Sequence, residues 1–180
     1  MRRRDFIAGI GCAGAWSVAA RAQQRALPVI GFLSPQSADD SKIDTVPFLQ
    51  SLKGTGYVEG QNVAVEYRYA ENQYDRLPAL AADLVRRRVA VIVAGGNLPA
   101  LAAKAATTTI PIVFTSGGDP VALGLVASLN RPGANATGIA KLNSELAPKR
   151  LQLLRELMPN AARFGILADP HTVNSPWPAP

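Results

Sequence analysis

Three short polar loops hold the residues of this sequence that are best suited to bind a small molecule. They span residues 34–37, 94–97 and 115–120, and each follows an apolar run. Serine, asparagine and aspartate side chains offer hydrogen-bond donors and acceptors, and the glycines among them let backbone N–H groups approach a ligand closely. The predicted ligand-binding residues are Ser34, Pro35, Gly96, Asn97, Ser116 and Asp119.

Asn97 and Asp119 each admit two interpretations at this point. Both precede a stretch with helical periodicity, so each could cap a helix N-terminus, where such a residue contributes ~1 kcal/mol. Each could instead contact the ligand, and the carboxylate of Asp119 could pair with a ligand ammonium group. One side chain can also serve both purposes.

The residue types that common catalytic and metal sites require are nearly absent. His171 is the only histidine and Cys12 the only cysteine, which excludes an intrachain disulfide framework and a cysteine-based zinc site. A Ser-His-Asp triad would depend on His171, close to the C-terminal end of the sequence. No Walker, H-E-x-x-H or G-x-S-x-G motif occurs. The sequence therefore predicts a binding protein without metal or cofactor, not an enzyme.

Apolar runs and helical periodicities alternate along the chain and predict the elements that position the loops. Strands are predicted at 27–33, 62–69, 89–94, 110–114, 136–140 and 163–168, and helices at 45–55, 77–85, 98–107, 120–129 and 146–158. Residues 89–94 include no polar side chain, as in a central parallel strand covered on both faces. We therefore predict an α/β fold with a doubly wound parallel sheet, whose strand carboxyl ends bring the loops to one edge.

The first 22 residues have the features of an export signal. Arg2, Arg3 and Arg4 precede an apolar run over 6–16, and the small residues Ala20 and Ala22 occupy the positions that signal cleavage requires. Arg3 and Arg4, followed by Asp5-Phe6-Ile7, resemble a twin-arginine signal, which exports folded proteins. We predict cleavage after Ala22 and a periplasmic location; an amphipathic N-terminal helix is the alternative.

Much of the formal net charge of +6 comes from the same N-terminal segment. The remaining basic residues form no stripe interleaved with aromatic side chains, so the sequence argues against nucleic-acid binding.

Several motifs together resemble one family. They are residues 56–63 (GYVEGQNV), 77–85 (LPALAADLV), 110–115 (IPIVFT), 118–121 (GDPV) and 133–138 (GANATG). The chain resembles the ABC-transporter substrate-binding proteins related to tryptophan and tyrosine binders, which have a type I periplasmic-binding fold. The resemblance extends to about Asp169. It departs from the family at Asn97-Leu98, where many relatives have Thr-Pro, and at Gly118, where many have Thr.

The resemblance implies a domain organisation. Residues 27–140 would form the first α/β lobe, including the first crossing between lobes. Residues 141–170 would supply the opening helix and strand of an incomplete second lobe, and 171–180 a Pro-rich disordered tail. The family has over a hundred further residues, so the chain is expected to be truncated after its first lobe. Side chains from about Ser144 onward are then expected to be loosely packed.

The resemblance also implies a function: a monomeric periplasmic solute-binding component of an ABC importer. It would bind a small molecule, such as an amino acid, and would need both lobes to engage its inner-membrane permease. One lobe alone is expected to bind at millimolar strength or not at all. Three alternatives stay open, namely a non-functional truncated copy of such a protein, an exported α/β-hydrolase fragment and a flavodoxin-like domain.

Overall fold

A computed structural model describes residues 27–141 and 146–165 of the chain. Strands and helices alternate along these residues. In chain order they are β1 (Val29–Ser34), α1 (Lys42–Gly54), β2 (Ala64–Tyr69), a 3-10 turn (Tyr74–Arg76), α2 (Leu77–Arg86), β3 (Val91–Gly95), α3 (Asn97–Ala106), β4 (Ile112–Ser116), β5 (Ala136–Ala140) and α4 (Ala147–Leu157).

The strands form one parallel sheet in the order β2-β1-β3-β4-β5. Helices pack on both of its faces. Phe48 of α1 lies against Phe32, with ring centroids 5.6 Å apart, whereas Leu84 of α2 lies against Gly31. Phe32 and Gly31 are neighbours in β1 and therefore point to opposite faces. This arrangement confirms the predicted doubly wound α/β fold.

The core lies between the sheet and the helices α2 and α3. Its fully buried members include Leu33, Ile92, Ile112, Leu77, Leu84, Ala100 and Ala103. Gly31 allows α2 to approach the sheet, because a Cβ atom there would lie 2.9 Å from a methyl group of Leu84. The close packing fixes α2 and α3 relative to the strands whose ends form the candidate site.

The helix predicted over 120–129 is wrong, because the chain makes a turn there. Gly124 adopts a φ of +68°, and the amide of Leu125 donates to Pro120 O at 2.8 Å, which reverses the chain after one helical turn. Lys104 of α3 donates from Nζ to the carbonyl oxygens of Gly124 and Leu125. A contact distant in sequence thus stabilises the turn.

The opposite face of the sheet is less well covered at β4 and β5. Phe32, Val93 and Val113 align across β1, β3 and β4, so they share a face. Phe32 is buried near α1, but Val113 is 43% exposed, and Ile139 in β5 is 69% exposed. The apolar stripe of α4 is exposed as well: Leu151, Leu154 and Leu157 are 44%, 41% and 78% accessible.

Some sequence predictions fall partly or wholly outside the described residues. In the strand predicted over 163–168, residues 163–165 have no regular structure and 166–168 are not described. The export signal with Ala20 and Ala22, Cys12, His171 and the tail over 171–180 also lie outside. Among the helices that the structure describes, none has the length and apolar character needed to cross a membrane.

Candidate ligand-binding groove

The carboxyl ends of β1, β3 and β4 border two adjoining clefts of about 220 and 250 Å³, which share Pro35, Gly96 and Gly117. Together they are called the groove below. The smaller, the apolar cleft, is also lined by Tyr74, Asn97, Leu98 and Pro99. The larger, the charged cleft, is also lined by Gln36, Asp44, Gly95, Thr115, Ser116 and Lys141. Crevices at this edge of open parallel sheets are where ligands bind.

Asn97 joins α3 to the loop after β4. Its Oδ1 lies 2.8 Å from Ser116 Oγ and accepts a hydrogen bond from the Gly117 amide at 3.2 Å. Gly96, not Asn97, occupies the N-cap position of α3. Within the described residues Asn97 Nδ2 makes no hydrogen bond, so it can donate to a molecule in the apolar cleft. The side chain thus combines a structural contact with an available donor.

Ser116 and Ser34 are buried and use their hydroxyl groups within the protein. Ser116 Oγ accepts from the Gly118 amide at 3.2 Å and lies 2.9 Å from Gly118 O, which shapes the loop after β4. Ser34 Oγ lies 2.7 Å from Ser41 Oγ, at the start of α1. Ser116 lines the charged cleft, whereas Ser34 is not among the described residues that line either cleft. Ser34 therefore positions α1 instead of bordering the groove.

Asp119 begins the turn that follows β4. Its Oδ1 accepts a hydrogen bond from the Val121 amide at 2.8 Å, as a capping side chain does, although only one turn follows it. Within the described part of the chain, it is not one of the residues that line the groove. Direct contact between Asp119 and a ligand stays a prediction.

Gly96, which lines both clefts, allows an unusual backbone conformation where they meet. Its φ of +114° lies in a region that side chains with a Cβ rarely adopt. A substitution there would strain the backbone even though the nearest atom to an added Cβ, Pro99 Cδ, is 3.9 Å away. The turn from β3 into α3 thus depends on a glycine.

Sequence reasoning missed the two charged side chains of the groove, Lys141 and Asp44. Lys141 follows β5, and its amide donates to Ser116 O at 2.7 Å, which holds it beside the end of β4. Asp44 lies in the first turn of α1. The rule that ligands gather at strand carboxyl ends could have indicated Lys141, because it directly follows a predicted strand. Nothing in the sequence singles out Asp44.

A cluster of ion pairs among the described residues lies elsewhere, between β2 and α2. Asp83 Oδ2 accepts from Arg68 Nη2 at 2.7 Å and from Arg87 Nε at 3.0 Å. These contacts, led by the hydrogen bonds from Arg68, lower the pKa of Asp83 to about 2. On the other face of β2, burial and then the nearby Glu59 carboxylate raise the pKa of Tyr67 to about 12. The contacts of Asp83 join α2 to β2 at the sheet edge away from the groove.

No metal-binding cluster of three or more His, Cys, Asp or Glu side chains occurs among residues 27–141 and 146–165. The groove instead offers backbone amides, the Asn97 amide, an ammonium and a carboxylate. Such groups can hold a small polar or amphipathic molecule by hydrogen bonds and charge.

Comparison with known proteins gives consistent matches. A family model described as "ABC transporter substrate binding protein" matches residues 27–177. The chain is 34% identical over 128 residues to the tyrosine-binding protein of Clostridioides difficile strain R20291, a match that covers 71% of this chain and 36% of that relative.

Two solved structures share the fold. A conserved domain protein from Vibrio cholerae matches with a TM-score of 0.67 and 30% identity, over 75% of this chain and 45% of its own. A ligand-free, open substrate-binding protein with adhesive properties from Clostridium difficile matches with a TM-score of 0.64 and 29% identity, over 74% of this chain and 45% of its own. The chain thus spans less than half the length of these relatives.

Proposed function

This chain belongs to the family of ABC transporter substrate-binding proteins, and we propose that it binds an amino acid in the groove and serves an ABC importer. The observation that carries the proposal is the position of the groove at the carboxyl ends of three parallel strands, with the Asn97 amide available beside it. The similarity to a tyrosine-binding protein supports an amino acid as the ligand.

The described residues can contact an amino acid from one side only, and this limits the affinity. A binding pocket ordinarily covers 70–90% or more of its ligand's surface, and one wall leaves much of the ligand in water. A loss of ~4 kcal/mol in burial and hydrogen bonding weakens binding about a thousandfold. We therefore expect the described residues alone to give dissociation constants in the millimolar range, and we propose that work with a permease requires both lobes of the family's architecture.

A titration followed by nuclear magnetic resonance measures such weak binding. Addition of phenylalanine or tyrosine to the 15N-labelled chain is expected to shift the amides of Gly96, Asn97 and Gly117 along one saturating curve. Asn97→Ala should weaken binding, because it removes the free donor and the contact to Ser116. Asn130→Ala, in an exposed turn, is the matched control and should bind as the wild type does. Absence of shifts, or shifts spread evenly over the surface, would contradict the proposed function.

We also propose that the chain is periplasmic and is processed after Ala22. The arginine cluster at residues 2–4 and the small residues at 20 and 22 support this. Mass spectrometry of the protein recovered from the periplasm should find Gln23 at the N-terminus. A mature protein that begins at Met1 would rule out processing.

A further inference from the structure

The two clefts of the groove differ in chemistry. The apolar cleft has Tyr74, Leu98 and Pro99 in its lining, so it favours carbon-rich groups. The charged cleft has a carboxylate, Asp44, and an ammonium group, Lys141, in its lining. Because the two clefts share Pro35, Gly96 and Gly117, a single small molecule can extend from one into the other.

Asp44 and Lys141 are notable because neither side chain has a partner among the residues that the structure describes. Within the described residues neither forms an ion pair or a side-chain hydrogen bond, although they line the same small cleft. Acidic side chains elsewhere in this part of the chain do find partners: Asp39 pairs with Lys42 at 2.7 Å, and Asp83 with Arg68 at 2.7 Å. The charged cleft therefore presents one available charge of each sign.

Each of these charges is attached to a fixed part of the backbone. The amide of Lys141 is bonded to Ser116 O at the end of β4. The amide of Asp44 donates to Ser41 O at 3.0 Å, and the Ser41 hydroxyl contacts the buried Ser34. The hydroxyl pair of Ser34 and Ser41 thus sets where α1 begins relative to β1. Ser34 acts as a positioning residue for the carboxylate of Asp44.

We propose that Lys141 binds the carboxylate and Asp44 the ammonium group of a zwitterionic amino acid, whose apolar side chain occupies the apolar cleft. This inference rests on the proposed function and adds the orientation of the ligand and the residues that bind its two charged groups. A purely anionic ligand would face Asp44 without compensation, and a purely cationic ligand would face Lys141 in the same way. A zwitterion satisfies both charges, and charge-assisted hydrogen bonds are about twice as strong as neutral ones.

Three probes that differ only in their charged groups test the assignment. They are L-phenylalanine, phenethylamine, which lacks the carboxylate, and 3-phenylpropionate, which lacks the ammonium group. In resonance titrations of the full chain, phenylalanine is expected to bind about tenfold more tightly than either analogue, the effect of one charge-assisted contact.

Two variants should then give a crossed pattern. Lys141→Met should weaken the binding of phenylalanine and of 3-phenylpropionate several-fold. The affinity for phenethylamine should stay the same or increase. Asp44→Asn should weaken the binding of phenylalanine and of phenethylamine. The affinity for 3-phenylpropionate should stay the same or increase. Lys141→Arg should retain most of the affinity. Lys53→Met, at the exposed end of α1, is the matched control and should change none of the three constants.

The possible failures are distinct. Equal binding of the three probes, or variants that weaken all three alike, would overturn the charge assignment and leave binding in the groove intact. If the wild-type chain binds none of the probes, both the inference and the proposed function fail. The amide spectrum of each variant shows in the same experiment whether it is folded.

Discussion

The helices α3 and α4 have similar lengths but opposite environments. α3 spans 10 residues and buries Pro99, Ala100 and Ala103 against the sheet. α4 spans 11 residues and leaves Leu151, Leu154 and Leu157 exposed. Both were predicted from the sequence, α3 from its alanine-rich composition and α4 from its apolar stripe. The difference teaches that an apolar stripe indicates which face of a helix is to be covered, but does not specify what covers it.

Connectivity explains the contrast. α3 lies between β3 and β4, two neighbouring strands, and the crossover between them places it against the sheet. α4 follows β5, an edge strand, and no further strand follows α4 within the described residues. The sheet body (residues 27–141) and the α4 segment (residues 146–165) should therefore differ in local stability.

Hydrogen exchange is expected to show the largest contrast. The Ile92 amide donates to Pro111 O at 2.9 Å within the core, so its exchange requires nearly global unfolding. The Met158 amide donates to Leu154 O at 3.0 Å, at the end of an exposed helix that can open locally. We expect exchange at Met158 to be at least about a thousandfold faster than at Ile92. Equal protection of the two would show that the segment folds with the sheet body.

Leucine truncations compare the two regions by free energy. Leu84→Ala should lower the free energy of unfolding by about 2–5 kcal/mol, because it leaves a cavity between α2 and the sheet. Leu154→Ala should change it by less than about 0.5 kcal/mol, since Leu154 is 41% exposed and has little packing to lose. Urea unfolding followed by circular dichroism measures both. A loss of several kcal/mol for Leu154→Ala would reveal packing of α4 that the structure does not show.

Glycine-to-alanine substitutions should give a smaller difference in the free energy of unfolding between the two regions. A Cβ atom at Gly138 in β5 would overlap the carbonyl oxygen of Phe114 and lie 2.7 Å from its ring. Gly138→Ala should cost about 1–3 kcal/mol, because the strands must separate. Gly165→Ala is the matched control in the α4 segment, as nothing lies within 4 Å of the added carbon. The same denaturation experiment measures both, and equal effects would show that β5 yields without cost.

The pH dependence of stability should show the smallest difference between substitutions in the sheet body and in the α4 segment. The pKa of Asp83 is lowered to about 2 from an ordinary 3.8, chiefly by hydrogen bonds from Arg68. A lowered carboxyl pKa stabilises the fold above about pH 4, and this contribution is lost as the pH falls from 4 to 2. Asp83→Asn should therefore flatten the stability profile in that window.

Glu156→Gln, in the exposed α4, is the control for the acid experiment and should leave the profile as in the wild type. Thermal melting between pH 2 and 5 makes the comparison. Parallel profiles for the wild type and Asp83→Asn would mean that the arginine contacts do not persist in solution.

The strand and helix alternation could be predicted because each element buries a contiguous apolar run or stripe. The helix predicted over 120–129 could not be distinguished from a turn in the same way. Leu125 and Val126 are buried in the observed turn, so their apolar character does not require a helix, and the contacts that stabilise the turn come from Lys104, about twenty residues away. Gly124, with its φ of +68°, permits the turn, and the contacts of Lys104 stabilise it.

The position of the candidate groove was predicted in part, and its ligand binding stays a prediction. The loops after β1, β3 and β4 do converge, and Gly96, Asn97 and Ser116 lie together as expected. The position of a serine in the sequence does not reveal whether its hydroxyl faces a ligand or another buried hydroxyl. The hydroxyl of Ser34 contacts that of Ser41. Likewise, the sequence could place Lys141 at the end of a strand, but whether a charged side chain is paired depends on its three-dimensional neighbours, which the sequence does not show.

The strand order has a consequence for folding during synthesis. β1 and β2 are made first and are neighbours in the sheet, so β3 can then add to the free edge of β1, β4 to β3 and β5 to β4. No strand has to enter between two strands that are already paired. Parallel pairs form slowly, since a long crossover must be closed each time, and unpaired edges promote aggregation meanwhile. A chain leaving the ribosome can therefore extend its sheet one edge at a time, in the order in which its strands are made.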